Sequence, residues 1–265
     1  MIRIGNVFLL GTVFLLLGVV VLLRENLARF EFQSKSSAKL ELYLRDDTSP
    51  TELIALQEQI RSLPGMQSIN YHRKEEALSE MEGILGSQLI GLEENNPFPS
   101  SLVLSITPSF VSLENFEGMA TALKSTRCVE EIDYRREWLA RQEKTFLFLK
   151  NLSRVLLLTT SLAAILALFF LMRRSLQGRR QEFGIFRLFG GGWRYVGLSI
   201  IGHGILLTAI STCIAYLALY LSWKTLHLLP LELQFLSISS GIVIVTSILF
   251  AGAASSFILA NRVIK

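Results

Sequence analysis

"RREWLARQEKTFLFLKNLSRVLLLTTSLAAILALFFLM", residues 135–172, changes solvent without changing its helical character. Residues 135–154 mix Arg, Glu and Lys with Leu and Phe, whereas residues 155–172 carry none of Asp, Glu, Lys or Arg. A charge-free run of about 18 residues is long enough to suggest a membrane-crossing helix. No proline or glycine separates the two parts, so one continuous rod is expected to pass from water into hydrocarbon.

Three further runs lack all four charged residue types: 4–23, 195–223 and 233–260. Twenty helical residues rise roughly 30 Å, the thickness of the hydrocarbon core. The two longer runs must tilt or project. With 51% hydrophobic residues and a mean hydropathy of +0.44, the chain reads as an α-helical integral membrane protein with four transmembrane helices. The first run is preceded only by Arg3 and followed by "RENLARFEF", which offers no small-x-small cleavage site. Its apolar stretch exceeds the roughly 7–15 residues of a signal peptide's core, so an uncleaved anchor is expected.

Four spans put both termini on one side. Residues 173–194 have a net charge of +5, and Arg262 and Lys265 follow the last span, so these segments are expected in the cytoplasm. Arg24, Arg29, Lys35 and Lys39 after the first span do not reverse this, because long loops are largely exempt from the charge rule. Trp193 and Tyr195 at one end of the third span, with Tyr216, Tyr220 and Trp223 at the other, fit interfacial belts. The expected organisation is helix 1 at 1–23, an extracytoplasmic domain with its stalk at 24–154, and helix 2 at 155–172. A cytoplasmic loop at 173–194, helix 3 at 195–223, a short outer loop at 224–232, helix 4 at 233–260 and a tail at 261–265 complete it.

The outer segment has a net charge of −4, so the overall pI of about 9.2 reports topology. No basic patch with interleaved aromatics suggests nucleic-acid binding. Cys128 and Cys213 lie in different regions and read as small buried apolar groups with no mutual disulfide.

Within the outer segment, "AKLELYLRDD" alternates, with Leu40, Leu42 and Leu44 on one face of a strand. "SPTELIALQEQIRSLPG" starts with a Ser49–Glu52 capping box and Pro50 at the first helical position, and aligns Leu53, Leu56, Ile60 and Leu63. "MQSINYHR" supplies a strand with Ile69 and Tyr71 inward. A strand, a helix and a strand follow in "SLVLSITPS", "SLENFEGMATALKS" and "CVEEIDY". The pattern is an α+β domain of the split β-α-β, ferredoxin-like kind, interrupted by a helical lobe at about 74–99. In that lobe Leu78, Met81, Leu85 and Leu89 recur at helical spacing. Met81, Ile84, Leu85, Leu89, Ile90, Leu92 and Phe98 either pack on the main sheet or form an exposed surface for a partner.

No P-loop, H-E-x-x-H, G-x-S-x-G or zinc-spaced Cys/His cluster occurs, so no catalytic, cofactor or metal site is expected. Of His72, His203 and His227, only His203 lies within a span. With no carboxylate or lysine in any span to relay protons to, an interhelical hydrogen bond is its expected role. Gly11 with Gly18, and Ser247 with Ala251 and Ser255, mark close helix approaches, within the chain or between copies.

The loop "RRSLQGRRQEFGIFRLFGGGWRYV", residues 173–196, combines charge with adhesion. Phe183, Ile185, Phe186, Leu188 and Phe189 are more apolar than a solvated loop tolerates, rimmed by Arg179, Arg180, Glu182 and Arg187. Gly190 to Gly192 permit a sharp exit. These residues suit a helix docked on a protein or one lying on anionic lipid.

The layout resembles the FtsX family. "NNPFPSSLVLSI" is similar to the family's Asn-Pro-Leu-Pro-Ala-Ser segment and strand, and "VEEIDYRREWLARQ" to its strand leading to a Glu-Trp helix start. "RRQEFGIFRLFGGGWRYV" is similar to the Arg-Arg-x-Glu segment shared with ABC-type permeases, although Gly184 and Gly191 replace usual family residues. The resemblance implies that Arg179, Arg180, Glu182, Phe183, Ile185, Phe186, Arg187, Leu188 and Gly190 form a coupling helix docking on a separate ATPase, FtsE. ATP would be bound and hydrolysed by that partner and not by this chain. It further implies a homodimer in the bacterial inner membrane at the division site, with the lobe recruiting a peptidoglycan hydrolase or its activator. The alternative is a permease subunit of a related lipoprotein-release or export system.

Overall fold

Ser49 caps the helix Pro50–Arg61 as its residues require. Its hydroxyl accepts from the Glu52 amide at 3.3 Å, and Glu52 Oε2 accepts from the Ser49 amide at 3.0 Å. Two amides without intrahelical partners are thereby satisfied reciprocally. The structure, a computed structural model, describes residues 4–85, 96–177, 193–226 and 233–264. Its elements are α1 (Ile4–Ser36), β1 (Lys39–Leu44), α2 (Pro50–Arg61), β2 (Met66–His72), α3 (Lys74–Leu85), β3 (Ser101–Ile106), α4 (Leu113–Lys124), β4 (Val129–Asp133) and α5 (Arg136–Gln177). Two further helices, α6 (Trp193–Leu226) and α7 (Ile238–Ile264), follow.

The chain divides into two compact units, Ala28–Leu149 and Met1–Leu27 with Lys150–Lys265. In the first, four strands form an antiparallel sheet in the order β2-β3-β1-β4. Leu40, Leu42 and Leu44 are buried with Leu102, Leu104 and Ile106 of the neighbouring strand. Leu56 and Ile60 of α2, Phe116 and Leu123 of α4, and Leu139 of α5 complete this core. Each such side chain contributes about 1.5–3 kcal/mol on burial. Ile69 is half-buried but Tyr71 is 39% exposed, contrary to the inward reading of both, because β2 is an edge strand with less cover.

In the second unit, Val7, Leu10 and Phe14 of α1 pack with Leu168 and Met172 of α5, Ile200 and Leu207 of α6, and Ile248 and Leu259 of α7. Around that core Phe8, Leu158, Phe170 and Phe250 are exposed. So much exposed apolar surface identifies hydrocarbon as the surrounding solvent. Among the described residues, four helices are long and apolar enough to cross a membrane.

Helix ends differ from the charge-free windows. α1 continues to Ser36 because no proline or glycine lies between Leu23 and Ser36, and charge alone does not stop a helix. α7 begins at Ile238 and not at 233, where Ser237 accepts from the Ser240 amide at 3.3 Å. Cys128 is buried as expected, but Cys213 is exposed on the apolar surface of α6; both are free thiols.

Candidate functional site

The residues expected to dock an ATPase, Arg179, Arg180, Glu182, Phe183, Ile185, Phe186, Arg187, Leu188 and Gly190, lie outside the described residues. The helices that lead into and out of that segment are described, and they are tied together. Ser175 Oγ on α5 lies 3.2 Å from His203 Nε2 on α6, the interhelical hydrogen bond expected of this histidine. At the next residue, Gly204, α6 meets α7 at backbone distance. A Cβ on Gly204 would collide with Ser256 Oγ and approach the Met172 methyl to 2.9 Å, and one on Gly252 would meet Thr208 Cγ2 at 2.5 Å. Residue numbers rise on one helix as they fall on the other, so these are two steps of one antiparallel seam. Thr208 donates to the Gly204 and Ile205 carbonyls at 3.0 Å, and Ser256 to the Gly252 carbonyl at 2.8 Å, keeping the hydroxyls satisfied inside the bundle.

At the other end of the bundle α1 holds the segment entering α7. Glu25 accepts from the Ser237 amide at 3.0 Å and its hydroxyl at 3.1 Å, while Asn26 exchanges two 2.9 Å bonds with the Gln234 backbone. Trp223 donates to the Leu233 carbonyl at 2.8 Å, and Tyr216, Tyr220 and Trp223 surround Phe235 with centroids 5.4–5.8 Å away. These are the aromatics expected at one end of the third span, the two tyrosines edge to face with Phe235 and Trp223 tilted against it. Gly11 faces the Ser211 carbonyl and Gly18 faces Leu219, so the first-span glycines serve packing within the chain.

In the unit Ala28–Leu149, the first turns of α5 are locked to the sheet domain. Leu139 sits in the core, Glu143 Oε1 accepts from the Leu113 amide at 2.8 Å at the start of α4, and Arg136 pairs with Glu117 at 2.6 Å. That hydrogen bond from Arg136 to Glu117 raises the guanidinium's pKa further above its ordinary value. Between β4 and α5, Arg135 adopts φ of 47°, steadied by its amide donating to Asp133 Oδ1 at 2.8 Å. This left-handed turn sets the angle at which the rod leaves the sheet, a feature with no signal in the sequence.

The two ends of the segment expected as a lobe, 74–99, are tied together. Asn96 donates to the Lys74 carbonyl at 2.7 Å and accepts from the Phe98 amide at 2.9 Å, while Lys74 pairs with Asp46. Met81, Ile84 and Leu85 lie on α3 and Phe98 is half-buried, whereas Leu89, Ile90 and Leu92 lie outside the described residues. Among the described residues, no three of His, Cys, Asp and Glu converge as a metal site.

Among the described residues, four helices long and apolar enough to cross a membrane, with an antiparallel sheet domain between the first two, define an integral membrane protein. Residues 37–146 match the family described as FtsX extracellular domain, and residues 154–265 that described as FtsX-like permease C-terminal. The chain belongs to the FtsX family. It is 21% identical to the cell division protein FtsX of Haemophilus influenzae, across 92% of this chain and 82% of that one. The Pseudomonas putida protein of the same name is 26% identical, across 76% of this chain and 60% of its own length. The crystal structure of extracellular domain 1 of FtsX from S. pneumoniae, in complex with undecyl-maltoside, aligns at 15% identity. That alignment covers 36% of this chain and 92% of that domain, with a TM-score of 0.32.

Proposed function

We propose that this chain transmits an ATP-driven movement from a cytoplasmic FtsE-like ATPase to the outer face of a bacterial inner membrane. There it regulates a peptidoglycan hydrolase, or an activator of one, during division. The carrying observation is α5, whose 42 residues run unbroken from the edge of the sheet domain to the loop expected to meet the ATPase. A helix locked to a domain core at one end passes on displacement applied at the other, because packed interiors yield little. The Ser175–His203 bond and the Gly204–Ser256 seam support a foot that moves as one piece.

In this reading ATP stays on the partner, residues 179–190 dock on it, both termini are cytoplasmic, and Met81, Ile84, Leu85, Leu89, Ile90, Leu92 and Phe98 receive the outer client. The outer domain is a split β-α-β, ferredoxin-like unit; the strand order β2-β3-β1-β4, with α2 after β1 and α4 after β3, supports this. A homodimer is expected, and the membrane groove lined by Ser161, Ser240, Ser247 and Ala251 offers small residues suited to contact with a second copy.

The test is a mild-detergent pull-down from native membranes. A soluble ATPase is expected with the wild-type chain and absent with Phe186→Asp/Leu188→Asp, since losing an apolar anchor costs about 2 kcal/mol or more, roughly thirtyfold in affinity. An ATPase retained by the double variant removes the coupling-helix assignment. Recovery of none with the folded wild type turns the basic loop into a lipid-surface helix.

A further inference from the structure

β4 is an edge of its sheet, and a groove of about 580 Å³ lies between it and α4. The register decides which backbone groups of β4 are paired. The Leu44 amide donates to the Ser100 carbonyl at 2.9 Å, so even-numbered residues of β1 bond to β3 and odd-numbered ones to β4. Tyr43 and Glu41 stand opposite Glu131 and Asp133, which therefore turn their amides and carbonyls to β1. The alternation points the amide and carbonyl of Ile132 outward, and among the described residues no strand lies beyond β4 to meet them. Such groups are a template for a further strand.

The two faces of that edge ask for different side chains. Ile132 stands opposite Leu42, which is buried, so it lies on the helix-covered face. There the groove is lined by Ala120, Thr121 and Lys124 of α4, with Glu130 and the Arg136–Glu117 pair. Acids and bases offset one another around it, which suits an uncharged side chain of modest size. On the opposite face Glu131 and Asp133 lie beside Tyr43 and Glu41. Burial, then the charges of Glu41 and Asp133, raise the Tyr43 pKa, and Glu131 adds to the effect. Three carboxylates thus gather at one ring, and Lys39, on the same face two residues before Glu41, offsets only part of their charge.

A second copy of β4 is a poor occupant. Antiparallel pairing of two such strands about Ile132 sets each Glu131 opposite an Asp133, and like charges directly opposite are destabilising. We infer that the outer edge of β4 receives an extended segment of another protein as an added antiparallel strand. Lysine or arginine at alternate positions of that segment faces Glu131 and Asp133, and small apolar side chains between them enter the groove beside Ile132. β2, which leads into 74–99, is the other edge of the sheet, so this surface is separate from the expected lobe and independent of the ATPase reading.

The test uses the full chain in an uncharged detergent and a fluorescein-labelled synthetic peptide in which lysine and valine alternate, titrated by anisotropy. Binding is expected to slow amide exchange across 129–134, and Glu131→Lys to weaken it about fivefold or more. The same peptide with glutamate in place of lysine should not bind. N-methyl groups on the valine amides, which face β4 in antiparallel addition, should abolish binding, whereas on the lysine amides they should leave it intact. Leu85→Asp/Leu89→Asp should bind the peptide as the wild type does. Binding indifferent to both methylation patterns is charge attraction alone and overturns the inference, as does absence of binding or protection confined to other segments. The methylated peptides act on the unaltered protein, so the test stays decisive where Glu131→Lys fails to fold.

Discussion

The Ser49 amide, followed by the Ser49 hydroxyl, holds the Glu52 carboxylate below its ordinary pKa. A carboxylate with a lowered folded-state value stabilises the fold above its unfolded pKa of about 4.3, and that contribution is lost as pH falls through the folded value. Glu52→Gln should therefore lower stability at neutral pH and flatten the acid limb, the two proteins converging once both pKa values are passed. Trp138 fluorescence of the full chain across an acid titration would reveal this; parallel acid limbs would count against it. Gly65 is a stricter site. It adopts φ of +80° and an added Cβ would stand 2.5 Å from Phe110 Cγ, so Gly65→Ala should destabilise the outer domain by about 1–3 kcal/mol. In the bundle, Gly204→Leu meets Ser256 and Met172 and should lower the melting temperature in detergent, whereas Gly202→Leu, with open space around it, should not.

At the scale of elements, what was legible followed from period and caps. Leu40, Leu42 and Leu44 alternate and are buried, and Ser49 and Pro50 mark where α2 begins. The unbroken α5 was readable because nothing between Arg136 and Gln177 can stop a helix. Tyr71 and Cys213 were misread because apolar character alone does not distinguish a covered face from an edge strand, or a packed helix face from a lipid-facing one. The Asn96 clamp and the Gly204–Ser256 seam depend on residues distant in sequence, which no local pattern announces, and the left-handed Arg135 is not a residue type that marks such a turn. The clamp yields its own prediction. Asn96→Ala removes two bonds of about 0.5–1.5 kcal/mol each, so amide exchange should rise across 74–99 while β1 and β3 stay protected. Leu85→Asp/Leu89→Asp should release an outer client in a pull-down while leaving the ATPase bound; a client still captured would make those leucines part of the core.

For the whole molecule, the proposed transmission runs through α5, locked to the sheet domain through Leu139 and Glu143 and tied to α6 through Ser175. The expected docking helix between Gln177 and Trp193 came from sequence character and family resemblance, since solvent-facing adhesion is visible as apolar residues where only charge is needed. The most direct measurement is amide exchange across 74–99 and 136–149, with the ATPase and this chain reconstituted together, with and without ATP. ATP is expected to change exchange in both segments, and Phe186→Asp/Leu188→Asp to abolish the change. Unaltered exchange in the outer domain while the bound partner hydrolyses ATP would contradict transmission.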